Sequence, residues 1–318
     1  MRKFIQPAIA AATFALAGLL ASAPALAEYP EKPIKVIVPY SPGGTSDVIT
    51  RIMTRHLEKA LGQKVVIVNV NGGGGAVGWK RTQKARPDGY TLGVSVDSIA
   101  VMESTGASDF TYDSFDHVAM WGNVFLTVFS NGDGPYKNLA DYKAGAMKAP
   151  GKVGLAMGNG TPAQFIAALV EEGLGADINL INVGGGAQKK AAVLGGHVDA
   201  AIEPTPGIIK QARAGQFNIL AILAKERLQY LPDVPTAYEQ GVEVEAFLSY
   251  GLMAPKGTPP DRIAVIANAM KGLGDIKEMQ DQNKNVNMVW NFKGTAEYLE
   301  HLKTVRARMQ RIGKVLGY

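Results

Sequence analysis

Apolar positions along the chain follow two alternating rhythms. Residues 34–38, 65–70, 90–96, 124–129, 153–157, 179–183, 198–203, 219–223 and 247–253 form short runs rich in Val, Ile and Leu, which predict strands. Between them lie stretches with helical spacing. Over 46–61, Val48, Ile49, Ile52, Met53, Leu57, Ala60 and Leu61 share one face, and Gly62 marks the stop. Further helices are predicted before Pro87-Asp88-Gly89, over 139–148, 162–172 and 187–194, and between the strands at 198–203 and 219–223. After Gly257 the pattern reads as helical to the end, with Leu299, Leu302, Val305, Met309, Ile312 and Leu316 on one stripe. Strands alternating with helices predict an α/β architecture with mostly parallel sheets.

The alternation comes in two series with a break at Asn131-Gly132-Asp133-Gly134-Pro135. The strand at 247–253 follows the second series and precedes the helical tail. The economical arrangement crosses to a second lobe near 127 and returns near 245. Residues 28–126 with 245–318 then form one lobe and 127–244 the other. Two crossover strands make a hinge, and ligand sites favour the cleft between lobes.

The first 27 residues read separately. Arg2 and Lys3 precede an uncharged apolar run ending in Ala25-Leu26-Ala27, the pattern of a secretory signal peptide cut before Glu28. A run of about 20 apolar residues could also just span a bilayer, but its Ala-richness and A-x-A end favour cleavage. Removing Arg2 and Lys3 lowers the formal charge from +5 to +3, which weakens any case for nucleic acid. Lys303, Arg306, Arg308, Arg311 and Lys314 form a basic concentration near the C-terminus, read as a solvated helix face or a docking surface for a membrane partner. The chain has no cysteine, so disulfides, thiolate metal sites and cysteine nucleophiles are excluded.

Three turns place glycines between a strand and a helix start. They contain Ser41, Gly43, Gly44, Thr45, Ser46 and Asp47; Gly158, Asn159, Gly160 and Thr161; and Gly184, Gly185 and Gly186. A helix start offers unpaired N–H groups and a partial positive charge, so such loops can hold a carboxylate or phosphate without Arg or Lys. Each glycine could simply make a turn, but three such loops from two lobes point to a shared anion site. Tyr40 enters the first loop, Ser95 and Asp97 end the third strand, and Glu203 ends a strand of the second lobe; these join the candidates. Gly73-x-Gly75-x-x-Gly78 matches the dinucleotide fingerprint, with Asp97 beyond it. It arises inside four consecutive glycines and follows an earlier βα unit, both of which argue against that reading. There is no G-x-S-x-G, H-E-x-x-H or Walker sequence, and His56, His117, His197 and His301 show no metal-ligand spacing. Neither a catalytic residue, a metal site nor a cofactor is assigned.

The loops, together with Pro87-Asp88-Gly89-Tyr90-Thr91-Leu92, Leu194-Gly195-Gly196-His197-Val198-Asp199, Pro232-Asp233-Val234-Pro235-Thr236 and Gly251-Leu252-x-Ala254-Pro255, resemble the Bug family, extracytoplasmic binding proteins of tripartite tricarboxylate transporters. The resemblance spans nearly the whole chain after residue 27. It implies a two-lobed periplasmic-binding-protein fold, a Venus flytrap of type II-like form with two crossover strands as hinge. It further implies a periplasmic monomer that passes a small carboxylate to membrane permease subunits, with residues 41–47, 158–161 and 184–186 holding the ligand. The Gly73–Gly78 match becomes a structural turn. Two departures limit specificity. The third loop reads Asn182-Val183-Gly184 where many relatives have Tyr-Lys-Gly, and Lys189-Lys190 stand where small or apolar residues are usual. Glu203 could discourage extra ligand charge, favour a ligand amino group, or satisfy a local donor. The alternative functions are an exported enzyme, either a hydrolase or a dehydrogenase using the 73–78 turn, and a sensory subunit of the same fold.

Overall fold

The computed structural model describes residues 29–318, so the expected leader lies outside the described residues. In chain order the elements are β1 (Ile34–Val38), α1 (Thr45–Leu61), β2 (Val65–Asn69), α2 (Ala76–Gln83), β3 (Thr91–Val96), α3 (Ser98–Thr105) and β4 (Phe115–Asn131). There follow α4 (Leu139–Lys148), β5 (Gly154–Met157), α5 (Pro162–Leu174), β6 (Asn179–Asn182), α6 (Gly186–Leu194), β7 (Ala200–Pro204), α7 (Ile209–Arg213) and β8 (Phe217–Ile222). The chain ends with β9 (Phe247–Pro255), α8 (Pro260–Lys271), α9 (Lys277–Asn285), β10 (Val289–Lys293) and α10 (Thr295–Val315). Helix α1 shows why the pattern was readable. It buries Ile49, Met53, His56 and Leu57 on one face, and Gly62 stops it with a left-handed φ of 64°.

One mixed sheet runs through the molecule in the order β2-β1-β3-β9-β4-β7-β5-β6, with β8 and β10 also pairing with β4. Strands β1, β2 and β3 are parallel, as are β5, β6 and β7, while β9, β4, β8 and β10 join antiparallel. The shared strand β4 holds the two halves together. From Phe115 to Phe125 it pairs with β9, and from Leu126 onward it pairs with β7 and β8. The cores divide at the same place: Val124 packs in the first core and Leu126 in the second. At the junction Leu126 N–H donates to the Ala246 carbonyl at 3.0 Å, and Ala246 N–H donates to that of Leu223 at 2.9 Å. The rings of Phe125 and Phe247 meet edge-on at 5.4 Å beside this crossing.

A third junction was not expected from the sequence. Phe165 and Ala168 of α5 pack into the first core, and α5 lies against α3 and α10. The Tyr318 ring stacks on Phe165 at 6.0 Å, and Arg311 pairs with Glu172 at 3.1 Å.

Other expectations need correction. The region after Gly257 is not wholly helical, since β10 pairs with β4 opposite Asn123 and Gly122. The strand expected at 124–129 is the end of a 17-residue strand, and α3 was not foreseen. On α10, Leu302, Val305, Met309 and Ile312 are buried as the stripe predicts, but Leu299 is exposed and Tyr298 takes the buried place. Its cations are not simply solvated. Arg306 pairs with Glu103 and Asp113, Arg311 with Glu172, and Arg308 donates to the Glu245 carbonyl.

Candidate functional site: loops at the carboxyl ends of the strands

The three glycine loops follow the carboxyl ends of β1, β5 and β6, and Glu203 lies near that end of β7. Open α/β sheets bind ligands at this edge. In the first loop Gly43 has a φ of 76°, a conformation that favours glycine, and its N–H donates to Asp47 Oδ2 at 2.9 Å. Arg51 Nε donates to the same oxygen at 2.9 Å, and Asn69 Nδ2 donates to Asp47 Oδ1 at 2.9 Å and to the Tyr40 carbonyl at 3.0 Å. Asp47 is 2% exposed, so its carboxylate shapes the loop from within. Burial works to raise its pKa, but the donations from Arg51, Gly43 and Asn69 together hold it below the usual aspartate range. Ser46 is also turned inward, its Oγ 3.3 Å from the Tyr250 hydroxyl. Ser41, Gly43 and Gly44 are exposed and Thr45 is half-buried. Helix α1 begins at Gly44 with no side-chain cap, which leaves its first amides free for an anion.

Tyr40 packs edge-on against Trp79 at 6.1 Å, and its hydroxyl donates to Ser98 Oγ at 3.3 Å. Burial pushes its phenol up to about 12. Ser95 is fully buried. Asp97 is 4% exposed and accepts from Ser249 N–H at 3.0 Å and Ser249 Oγ at 3.2 Å. Ser249 Oγ also lies 2.6 Å from His301 Nε2. Burial raises Asp97 to about 6, against the donors of Ser249 and the charge of Arg308. Burial, with help from the charges of Lys293 and Arg308, lowers His301 to about 4. Sequence reasoning did not bring Ser249, Tyr250 and His301 into this group, because nothing in their spacing links them to Asp97.

In the second half, Gly160 has a φ of 65° and its N–H donates to Gln164 Oε1 at 2.7 Å. Asn159 N–H donates to Asn182 Oδ1 at 3.1 Å. Thr161 occupies the N-cap position of α5, but its hydroxyl donates to the Gly158 carbonyl at 2.6 Å and caps nothing. Helix α6 likewise starts at Gly185 without a side-chain cap. A Cβ on Gly158 would come within 2.8 Å of the Gly184 carbonyl, so the second and third loops lie side by side. Glu203 sits under the third loop, its Oε2 2.6 Å from Lys189 Nζ. The structure thus gathers the predicted residues into two clusters: Tyr40 to Asp47 with Ser95 and Asp97, and residues 158–161 and 184–186 with Glu203. No hydrogen bond joins one cluster to the other among the described residues. A cavity of about 820 Å³ bounded by Phe125, Tyr230, Glu245 and Trp290 contains none of these loops.

The 73–78 run forms a 3₁₀ turn leading into α2. A Cβ on Gly78 would stand 2.7 Å from Pro39 Cα and 2.8 Å from the Val70 carbonyl, so that glycine lets α2 sit against the backbone of β1 and β2.

Among the described residues no helix is long and apolar enough to cross a membrane. Residues 49–317 match the family described as the tripartite tricarboxylate transporter family receptor. Protein BugT of Bordetella pertussis is 36% identical over 248 residues, covering 76% of this chain and 75% of that one. MatC of Rhodopseudomonas palustris, solved with bound malate, superposes with a TM-score of 0.75 at 23% identity, covering 90% of this chain and all of its own. A second R. palustris protein, solved with adipate, gives 0.79 at 22%, covering 91% and 99%. With its two-lobed α/β fold, this chain belongs to the tripartite tricarboxylate transporter receptor family, the Bug-type periplasmic solute-binding proteins.

Proposed function

We propose that this protein captures a small carboxylate between two lobes, residues 28–126 with 245–318 and residues 127–244, and delivers it to the membrane permease of a tripartite tricarboxylate-type transporter. It acts as a monomer and a binder rather than an enzyme, exported after cleavage before Glu28. The reading is carried by three uncapped helix starts, at Gly44, Thr161 and Gly185, on the carboxyl edge of strands from both halves. Their amides replace the water around a carboxylate without any basic side chain. Relatives of the same fold hold malate and adipate, which supports a carboxylate here. Exposed Ser41, Gly43, Gly44, Asn159, Gly160, Gly184 and Gly185, with half-buried Tyr40, Thr45, Thr161 and Gly186, form the contact surface. Buried Ser46, Asp47, Ser95, Asp97 and Gly158 fix its shape. Contacts from both lobes are needed, because only differential contacts drive closure about β4 and β9.

A thermal-shift panel of mono-, di- and tricarboxylates tests this. A ligand at about 100 times its Kd adds ~2.7 kcal/mol, on the order of 5 °C here. Gly44→Pro fits the observed φ of −74° but removes the N–H that donates to the Ser41 carbonyl at 3.3 Å, so it should reshape the first loop, abolish the shift and keep the fold. Proline at Gly160 would be uninformative, because its φ of 65° excludes that ring. Turnover of the ligand, or no shift with any acid, would refute the proposal.

A further inference from the structure

Beneath the third loop, Glu203 occupies a built cradle. A Cβ on Gly186 would lie 2.5 Å from its Oε1, and one on Gly207 would lie 3.1 Å from its Cγ, so two glycines clear the space its side chain fills. Lys189 approaches from below. Its Nζ stands 2.6 Å from Glu203 Oε2 and donates to the Ile202 carbonyl at 2.5 Å. The lysine side chain is 6% exposed and the glutamate 17%, so the carboxylate is the outer member of the pair. Lys190 is also engaged, donating to the Gly207 carbonyl at 3.2 Å. Beside the first loop, Arg51 is held by Asp47 and Asn69. Lys189 is thus committed within the second half, and Arg51 spends its Nε and Nη2 on Asp47 and Asn69.

We infer that Glu203 is a specificity-determining residue that makes the second lobe select a hydrogen-bond donor, so that the preferred ligand carries a carboxylate at one end and an ammonium or amide at the other. This rests on the solute-binding reading above. The Lys189 ammonium and the positive start of α6 hold the Glu203 carboxylate in place beneath the loop. The third loop therefore faces the cleft with an acceptor already in place. A second ligand carboxylate there would meet like charge, whereas an ammonium or amide would find a partner. Lys189 is a positioning residue: it balances Glu203 without reaching the ligand.

Matched acids differing only at one end test this on the exported, processed protein: β-alanine against succinate, 4-aminobutyrate against glutarate, and 5-aminopentanoate against adipate. Titration calorimetry should give at least tenfold tighter binding for the amino member of the best-bound pair. Glu203→Gln should cut that ratio to threefold or less. Lys189→Met together with Glu203→Gln removes the whole pair, keeps the site neutral and should show the same loss of preference. A native protein that binds the diacid as tightly as its amino partner would overturn the inference, as would Glu203→Gln weakening both members equally. In either case saturable binding that Gly44→Pro abolishes leaves the solute-binding reading standing. No binding in any pair overturns both.

Discussion

Asp47 shows how one residue sets the shape of a binding loop. Its two carboxylate oxygens take donors from Gly43, Arg51 and Asn69, which lie before it, after it and on a neighbouring strand. Replacing it with alanine leaves those donors without their acceptor and costs about 1–3 kcal/mol. The first loop should loosen, so Asp47→Ala should also weaken carboxylate binding at least tenfold, read by titration. Its folded pKa is depressed, so its contribution is complete above the ordinary aspartate range and is lost as pH falls through the lower folded value. Denaturation midpoints for native and variant should therefore converge in acid. Equal spacing at pH 7 and at low pH would refute that account. In the sequence, Asp47 was legible as a residue near a helix start, but not as a buried anchor. That depends on Asn69 arriving from β2, which no local pattern announces. The same holds for Glu203, whose partner Lys189 lies 14 positions earlier in the chain, on the preceding helix α6.

Element by element, the pattern was readable where a helix has one apolar face or a strand is a short buried apolar run, as in β3 and β5, and failed for α3 and β10. Helix α1 has one apolar face and was readable. Helix α3 buries Ile99, Ala100, Val101 and Met102 in succession, so it has no stripe to read. Every residue of β10 is half-buried, which erases the period of two. Its approach to β4 relies on Gly122, where a Cβ would lie 2.2 Å from Met288 Cε and 2.6 Å from the Val289 carbonyl. The glycine run at 73–78 was legible as a turn, but its function in packing was not. Gly78→Ala would press a methyl against backbone atoms of Pro39 and Val70, which cannot swing aside. We expect a loss of about 1–3 kcal/mol, measured by urea denaturation. Because Pro39 precedes Tyr40, carboxylate affinity should fall as well. A variant as stable as the native protein would show that α2 can shift freely on the sheet.

For the molecule as a whole, the junction of the halves makes a pH prediction. Asp97, Ser249 and His301 meet beside the crossover strand β9, and Phe247 stacks on His301 at 6.0 Å. The Ser249 hydroxyl has one hydrogen for two neighbours. It can satisfy both by donating to Asp97 and accepting from His301, which fixes the imidazole proton on Nε2. Asp97, raised to about 6, holds a proton in the folded state from about pH 4 to 6 that the unfolded chain has lost, so it lowers stability as pH rises through that window. His301 and His117, each lowered to about 4 chiefly by burial, lack protons over about pH 4 to 6.5 that the unfolded chain binds, so they raise stability with pH. Two rising contributions against one falling leave a net of one proton. Stability should climb by about 1.4 kcal/mol per pH unit between pH 4 and 6. Asp97→Asn keeps an oxygen for the Ser249 N–H and removes the opposing titration, so its slope should approach about 2.7 kcal/mol per unit. Denaturant midpoints at half-unit steps from pH 4.5 to 6 measure both slopes. Parallel lines for the two proteins would mean that Asp97 is ionised in the folded state throughout, with the buried junction more polar than its packing implies.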